Sequence, residues 1–258
     1  MNRDPERIKA YWDGRAAEDS SAQSTTMDIW LRHIEAKFVS QIVRSHDPQI
    51  IHDVGCGDGL TTLHCAREHP GKKFYGTDFS PSMIENARAN KAMQALDNVA
   101  FDIGDATDGG AHSGIDLAYS ARCLINLSGW DAQIAAIRNI HTSLVSDGLY
   151  LMIENFVEGQ NAFNAMRLAF DLPEIGIRHH NTFFNRQQLL DSTAPLFEVV
   201  EEQNISSTYY MVSRLVYSKI CAESGIKPDY FDKHHQLGAE LPFAGEYGPV
   251  RAVLFRKK

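Results

Sequence analysis

The chain has 258 residues, of which 43% are hydrophobic, enough to bury a sizeable core and to exclude disorder as its main state. Its net charge is −8 and its basic runs are as short as "GKKF" and the terminal "RKK", which argues against a nucleic-acid backbone as the main ligand. No apolar run approaches the roughly 20 residues of a membrane-spanning helix, and Cys56, Cys65, Cys123 and Cys221 form no C-x-x-C pair of the kind that signals zinc or a disulfide framework.

The N-terminal "MNRDPERIKAYWDGRA" is polar and lacks an apolar signal core, so a reducing, cytoplasmic home is expected. Further along, strand-like and helix-like segments alternate. "QIIHDV" (49–54) is a β-rich run that ends at a glycine loop. "GLTTLHCAREH" (59–69) reads as a helix, with Leu60, Leu63 and Ala66 along one side. "KKFYGTD" (72–78) is a second strand. "SPSMIENARANKA" (80–92) is a helix that Ser80 can cap, and Pro81 suits its first position because the missing N–H is not needed there. "NVAFDIGDA" (98–106) and "GIDLAYSA" (114–121) are strands three and four. "SGWDAQIAAIRNIHTSL" (128–144) is a helix with His141 on its apolar face, where a core or edge histidine is expected. "DGLYLMIEN" (147–155) is a fifth strand, opened by a turn at Asp147–Gly148.

"NRQQLLDSTA" (185–194) then reads as a helix, "FEVVEEQNI" (197–205) as a strand and "GPVRAVLFRK" (248–257) as a final strand. Such alternation predicts an α/β chain with a parallel sheet covered by helices on both faces. Two long segments remain, 156–184 and 206–247, rich in aromatics, His and Arg. Segments of that length in a compact domain are functional or carry helices of their own.

The stretch "HDVGCGDG" (52–59) carries the chemistry. Open parallel sheets bind ligands at the carboxyl ends of their strands, where the strand order reverses, and this loop ends the first strand. A dinucleotide fingerprint needs glycine at position 60, where Leu60 stands, and no Gly-Lys-Ser/Thr follows to make a phosphate loop. Asp78, at the end of the second strand, can accept both hydroxyls of a ribose. Asp105, after the third, can meet an adenine amino group. Gly55, Gly57 and Gly59 with these two acids describe a nucleoside pocket without phosphate contacts.

"HDVGCGDGLTT", "GTDFSPSMIENARAN", "FDIGDA" and "SDGLYLMIEN", in this order, resemble the successive motifs of class I S-adenosylmethionine-dependent methyltransferases over roughly residues 48 to 155. The resemblance implies a Rossmann-like seven-stranded sheet with an antiparallel last strand, and S-adenosylmethionine as cofactor. It implies that Asp53, Gly55, Gly57 and Gly59 line the methionine and ribose side and that Asp78 binds the ribose hydroxyls beside Phe79. Asp105 and Ala106 would flank the adenine amino group, and Ser120 and Ala121 would lie near the sulfonium. "AYWDGRA" resembles the family's capping segment, so residues 1–47 are expected to form a helical cap, with Tyr11 or Arg15 meeting the cofactor carboxylate. Residues 48–258 would be the methyltransferase domain, with acceptor-binding insertions at 156–184 and 206–247.

Methyl transfer is an in-line displacement, so the protein must align the acceptor at about 3 Å and remove its proton where it has one. The stretch after the fourth strand, "YSARCLINLSGW", lacks the Asn/Asp-Pro-Pro-aromatic motif of amino-methylating nucleic-acid enzymes. No acid lies between Asp116 and Asp131, so the metal site of catechol-type enzymes is not expected. The expectation is metal-independent O-methylation of a small-molecule or glycan acceptor, with no nucleic-acid partner. The acceptor would meet Asn155, Arg178, Tyr209, Tyr210 and Arg214. A general base would come from His179 or His180, with Glu154 also at the carboxyl edge of the sheet. Two alternatives stay open: an NAD(P)-dependent oxidoreductase, against which Leu60 counts, and a non-catalytic module that retains the cofactor pocket.

Overall fold

The computed structural model describes residues 5–18, 26–108 and 112–258. Its centre is one sheet of β1 (Ile50–Val54), β2 (Lys73–Asp78), β3 (Val99–Ile103), β4 (Ile115–Ala121), β5 (Leu144–Asn155), β6 (Phe197–Asn204) and β7 (Val250–Lys257). The strand order is β3-β2-β1-β4-β5-β7-β6. The strands from β3 to β5 pair in parallel. β7 runs antiparallel to both its neighbours, which is the seven-stranded Rossmann-like sheet the sequence implied.

Both faces of the central strands β1, β4 and β5 are buried, which is why they read as near-continuous apolar runs, whereas the edge strand β6 is largely exposed. Ile51, Phe74, Leu117 and Leu151 pack under α2 (Ile29–His46), α3 (Leu60–Glu68) and α4 (Pro81–Gln94). Ala118, Tyr150, Met152 and Phe255 form the opposite layer with α5 (Trp130–Ser143) and α7 (Arg186–Thr193). Local signals set the helix starts. The Ser80 hydroxyl accepts the Met83 N–H at 3.2 Å ahead of Pro81, and Asn185 accepts from Gln188 N–H at 2.9 Å. Asp28 caps α2 by accepting the Leu31 N–H at 3.1 Å.

Two expected boundaries move. β5 begins at Leu144 rather than Asp147, because the Asp147 turn lies inside the strand as an irregularity, with Asp147 at φ 60° and the register shifting between Ile115 and Leu117. β3 ends at Ile103, and the residues after it turn back on themselves through Asp105, whose Oδ1 accepts from the Thr107 N–H and hydroxyl at 2.7 Å each.

The two long segments carry helices of their own. The first holds α6 (Val157–Ala169), followed by irregular chain that returns through a bridge between Phe156 and Phe184. The second holds α8 (Ser207–Tyr210), a π-helical stretch (Met211–Val216), α9 (Tyr217–Ser224) and α10 (Lys233–Glu240). At the N-terminus α1 (Pro5–Glu18) lies on α4, where the Ser80 hydroxyl donates to Asp13 at 2.5 Å and the Asn86 amide donates to the Ala16 carbonyl at 3.2 Å. Among the described residues no helix is long and apolar enough to cross a membrane.

Candidate active site

The strand order reverses between β1 and β4, and a cavity of about 270 Å³ lies at their carboxyl ends. Its floor is the glycine loop. Gly55, Gly57 and Gly59 have φ of 77°, 55° and 78°, a left-handed conformation that side chains disfavour. The Gly55 and Cys56 N–H groups both donate to the Thr77 carbonyl, at 2.8 and 2.9 Å, and pin the loop to β2. A Cβ on Gly55 would stand 2.1 Å from Cys123 Sγ, so the loop packs against the chain that follows β4 with no space for a side chain.

Two buried carboxyls border this cavity. Asp78 Oδ2 accepts the Gly57 N–H at 2.9 Å and Oδ1 accepts the Ser80 N–H at 3.0 Å. Burial pushes its pKa up to about 6 against the pull of those two bonds. Asp53 Oδ2 accepts from Thr62 at 2.6 Å and from the Tyr119 hydroxyl at 2.8 Å. Burial pushes Asp53 up to about 7. Phe79, Met83 and Ala106 add apolar wall, and Asp105 reaches it from the exposed turn after β3. An apolar slot, a glycine floor and carboxyls that can accept from hydroxyl or amino groups fit a nucleoside.

The roof comes from the N-terminal segment that the sequence marks as a cap, together with charged residues it does not single out. Trp12 of α1 and Arg32 and Glu35 of α2 line the cavity with Arg122. Arg32 grips Asp58 with two bonds of 3.0 and 2.7 Å, and Arg122 grips Glu35 with two of 2.6 and 3.1 Å. These forked pairs lash α2 to the glycine loop and to the chain after β4. One signal was available: Arg32 and Glu35 sit among Leu31, Ile34 and Phe38, on the buried side of α2, where an unpaired charge would be costly.

A second cavity, of about 180 Å³, adjoins the first and shares Trp12, Arg122 and Asn126 with it. Asn155, Arg178, His180, Tyr210 and Arg214 line it. The His180 ring lies 4.9 Å from Tyr11 and 6.3 Å from Trp12. The segment bearing it is tied to the chain after β4, where the Thr182 N–H donates to the Ile125 carbonyl at 2.7 Å and Asn181 donates to Asn126 at 3.0 Å. Arg214 issues from the π-helical stretch, pairs with Asp28, and lies 4.8 and 5.1 Å from the ring centres of Tyr210 and Tyr230. Such stretches recur where a helix must present a side chain to a site.

Several expected site residues lie elsewhere. Glu154 lines neither cavity; it is fully buried, and its carboxylate accepts from Ser120 and from the N–H groups of Cys123, Leu124 and Ile125. Burial pushes its pKa up to about 7. Ser120 is buried with it, bonded to the Tyr150 hydroxyl at 2.8 Å rather than open to the first cavity. Gly59 opens α3 and faces Phe101, which a Cβ would approach to 2.7 Å. Tyr11 packs against His180, and neither it nor Arg15 lines the first cavity. His179 is exposed outside both cavities. Tyr209 is buried, donating to Asp28 at 2.5 Å and lying 2.7 Å from His235 Nδ1. Among the described residues no group of three His, Cys, Asp or Glu side chains is arranged to hold a metal.

Residues 51–148 match the methyltransferase domain family. Over those residues the chain carries a methyltransferase domain. That domain implies S-adenosylmethionine as its cofactor. The chain is 38% identical over 82 residues to ajmaline N-methyltransferase of Rauvolfia serpentina, covering 31% of this chain and 28% of that one. It is 36% identical over 73 residues to trans-aconitate 2-methyltransferase of Methylobacterium radiotolerans, covering 28% and 26%. The matches therefore span about a quarter of these relatives' lengths. Shorter matches reach enzymes named for ribosomal RNA and tRNA, so the relatives share the methyltransferase domain and differ in acceptor. The mitomycin 7-O-methyltransferase MmcR superposes with a TM-score of 0.57 at 16% identity, over 98% of this chain and 70% of that one, which shows the common fold.

Proposed function

We propose that the protein is a metal-independent methyltransferase that methylates an oxygen of a small-molecule or saccharide acceptor. The observation that carries this reading is the pair of adjoining cavities with Trp12, Arg122 and Asn126 as a common wall. A transferase needs two ligand sites that touch at the point of transfer. The cofactor, held in the first cavity, supplies a methyl group already activated by its sulfonium charge.

The rest is work for this chain. Asp78 holds the ribose hydroxyls, Phe79 and Ala106 flank the base, and Asp105 accepts from its amino group. Arg32 and Arg122, rather than Arg15, supply the cations that line the first cavity, and Tyr11 lies outside it. The helices of residues 1–47 act as a cap: Trp12 reaches both cavities, and the Asp13–Ser80 bond holds α1 on the cofactor side. In the second cavity His180, flanked by Tyr11 and Trp12, takes the proton of the acceptor hydroxyl. Glu154 is bound up with the 120–125 loop and does not serve as that base. Transfer of a labelled methyl group from S-adenosylmethionine to a panel of hydroxylated acceptors, with amines and RNA alongside, tests this reading. Label confined to amines or RNA would overturn it.

A further inference from the structure

The charges around the second cavity do not balance. Arg122, Arg178 and Arg214 line it, whereas Asp28 is the one carboxylate among its described lining residues. Glu35 takes up Arg122 from the side of the first cavity, and Asp28 takes up Arg214. Arg178 has no carboxylate partner among the described residues. A fourth arginine stands behind: Arg167 is buried, donates from Nη1 to the Arg214 carbonyl and from Nε to the Pro173 carbonyl at 2.7 Å, and likewise has no carboxylate partner among the described residues. Burial and the neighbouring Arg214 push its pKa down. Arg178 is exposed and stays hydrated, whereas the buried Arg167 carries the cost of a cation taken out of water without a counter-ion, so the positive surplus around the cavity favours a negative ligand.

Polar groups in the cavity are also left unused. The Asn155 side chain is 7% exposed and its Oδ1 is buried with no hydrogen-bond partner; Arg214 Nε is in the same condition. Both belong to residues that line the cavity. Buried polar groups in folded proteins are nearly always paired, so these two mark the places where a ligand's own polar atoms belong.

We propose that the second cavity binds an oxyanion, a carboxylate or phosphate borne by the acceptor, which Arg178 and Arg214 hold while Asn155 pairs with a neighbouring polar group of the same molecule. This rests on the reading of that cavity as the acceptor pocket. It makes the enzyme selective for acidic acceptors, and for saccharides it favours sugar acids and sugar phosphates over neutral sugars.

The test is calorimetric titration of the 258-residue chain, with S-adenosylhomocysteine present, using glucuronate, glucose 6-phosphate and glucose. The three share a pyranose ring and differ in the group at C6. At least one of the two anionic probes should bind about tenfold or more tightly than glucose, the preferred one naming carboxylate or phosphate. Arg178→Gln should abolish the preference and leave the S-adenosylhomocysteine affinity unchanged. Arg178 is exposed, so that variant keeps the fold; Arg214→Gln, checked for folding by circular dichroism, should act in the same direction. Glucose binding as tightly as both anions, none of the three probes binding at millimolar concentration, or a preference indifferent to Arg178 and Arg214 would overturn the proposal. The transfer assay separates an oxyanion site from an acceptor pocket. Labelled methyl groups on neutral acceptors alone would retain the acceptor pocket and discard the oxyanion. Arginine-dependent anion binding with no methyl transfer to any acidic acceptor would retain the anion site and discard the acceptor reading.

Discussion

The two cavities are built from different kinds of chain. The first rests on the carboxyl ends of β1, β2, β3 and β4, where regular strands deliver Asp53, Gly55, Asp78 and Asp105 at fixed places on one edge. The second is assembled mainly from Trp12 in the middle of α1, the start of α2, the chain after β4, Asn155 at the end of β5, the irregular chain of residues 170–184 and the π-helical stretch that carries Arg214. A ligand common to a fold is bound where the fold itself sets the geometry. A ligand peculiar to one protein is bound where insertions do. Substitutions in the two cavities should therefore have separable effects.

The largest effect is expected in the second cavity. His180→Ala should lower kcat by about 10²–10⁴-fold with cofactor affinity nearly intact, while His179→Ala should leave kcat close to wild type. Steady-state assays on any identified acceptor decide it, and equal losses in the two variants would remove the base from this cavity. Next is the floor of the first. Gly55→Ala forces a Cβ into Cys123 at a left-handed backbone position, and should cost roughly 2–4 kcal/mol in urea unfolding, from overpacking and backbone strain together. An unperturbed midpoint would mean the loop shifts freely.

A smaller effect concerns pH. If the Asp78 carboxylate accepts the ribose hydroxyls, cofactor binding requires its proton to leave, so affinity for S-adenosylhomocysteine should fall by up to about tenfold per unit as pH drops below about 6. Asp78→Asn should flatten that profile. The unliganded protein should show the opposite trend in stability. Burial raises the pKa of Asp78 from 3.8, so the native state holds a proton that the unfolded chain has already lost. Stability then declines as pH rises from about 4 through about 6, with Asp53 and Glu154, each near 7, adding the same sign. The smallest expected effect is none: methyl transfer should survive exhaustive EDTA, and loss restored by magnesium would place a metal at the site.

How much of this could be read in the chain follows the same division. The strand–loop–helix units declare themselves through β-rich runs, the Ser80–Pro81 cap and closely spaced glycines, so the sheet and most of the first cavity's acids and glycines were legible. Ser120 and Glu154 misled because position at a strand's end does not tell which face of the sheet a side chain takes. Both point to the α5 side and hold the loop after β4. Arg32, Glu35 and Arg122 were hidden because their partners lie 26 and 87 positions away along the chain. In the second insertion the sequence points to Tyr209, Tyr210 and Arg214 together, and tertiary packing separates them: Arg214 and Tyr210 line the cavity while Tyr209 turns to Asp28 and His235.

The central claim is that cofactor and acceptor occupy separate, adjoining cavities. Titration of S-adenosylhomocysteine into the wild-type protein, Asp78→Ala and Arg178→Gln tests it most directly. We expect one molecule bound per chain, a loss of roughly 1.5–3 kcal/mol in Asp78→Ala from the charge-assisted bonds removed, and no change in Arg178→Gln. Absence of binding to the wild type, or equal losses in the two variants, would contradict the account.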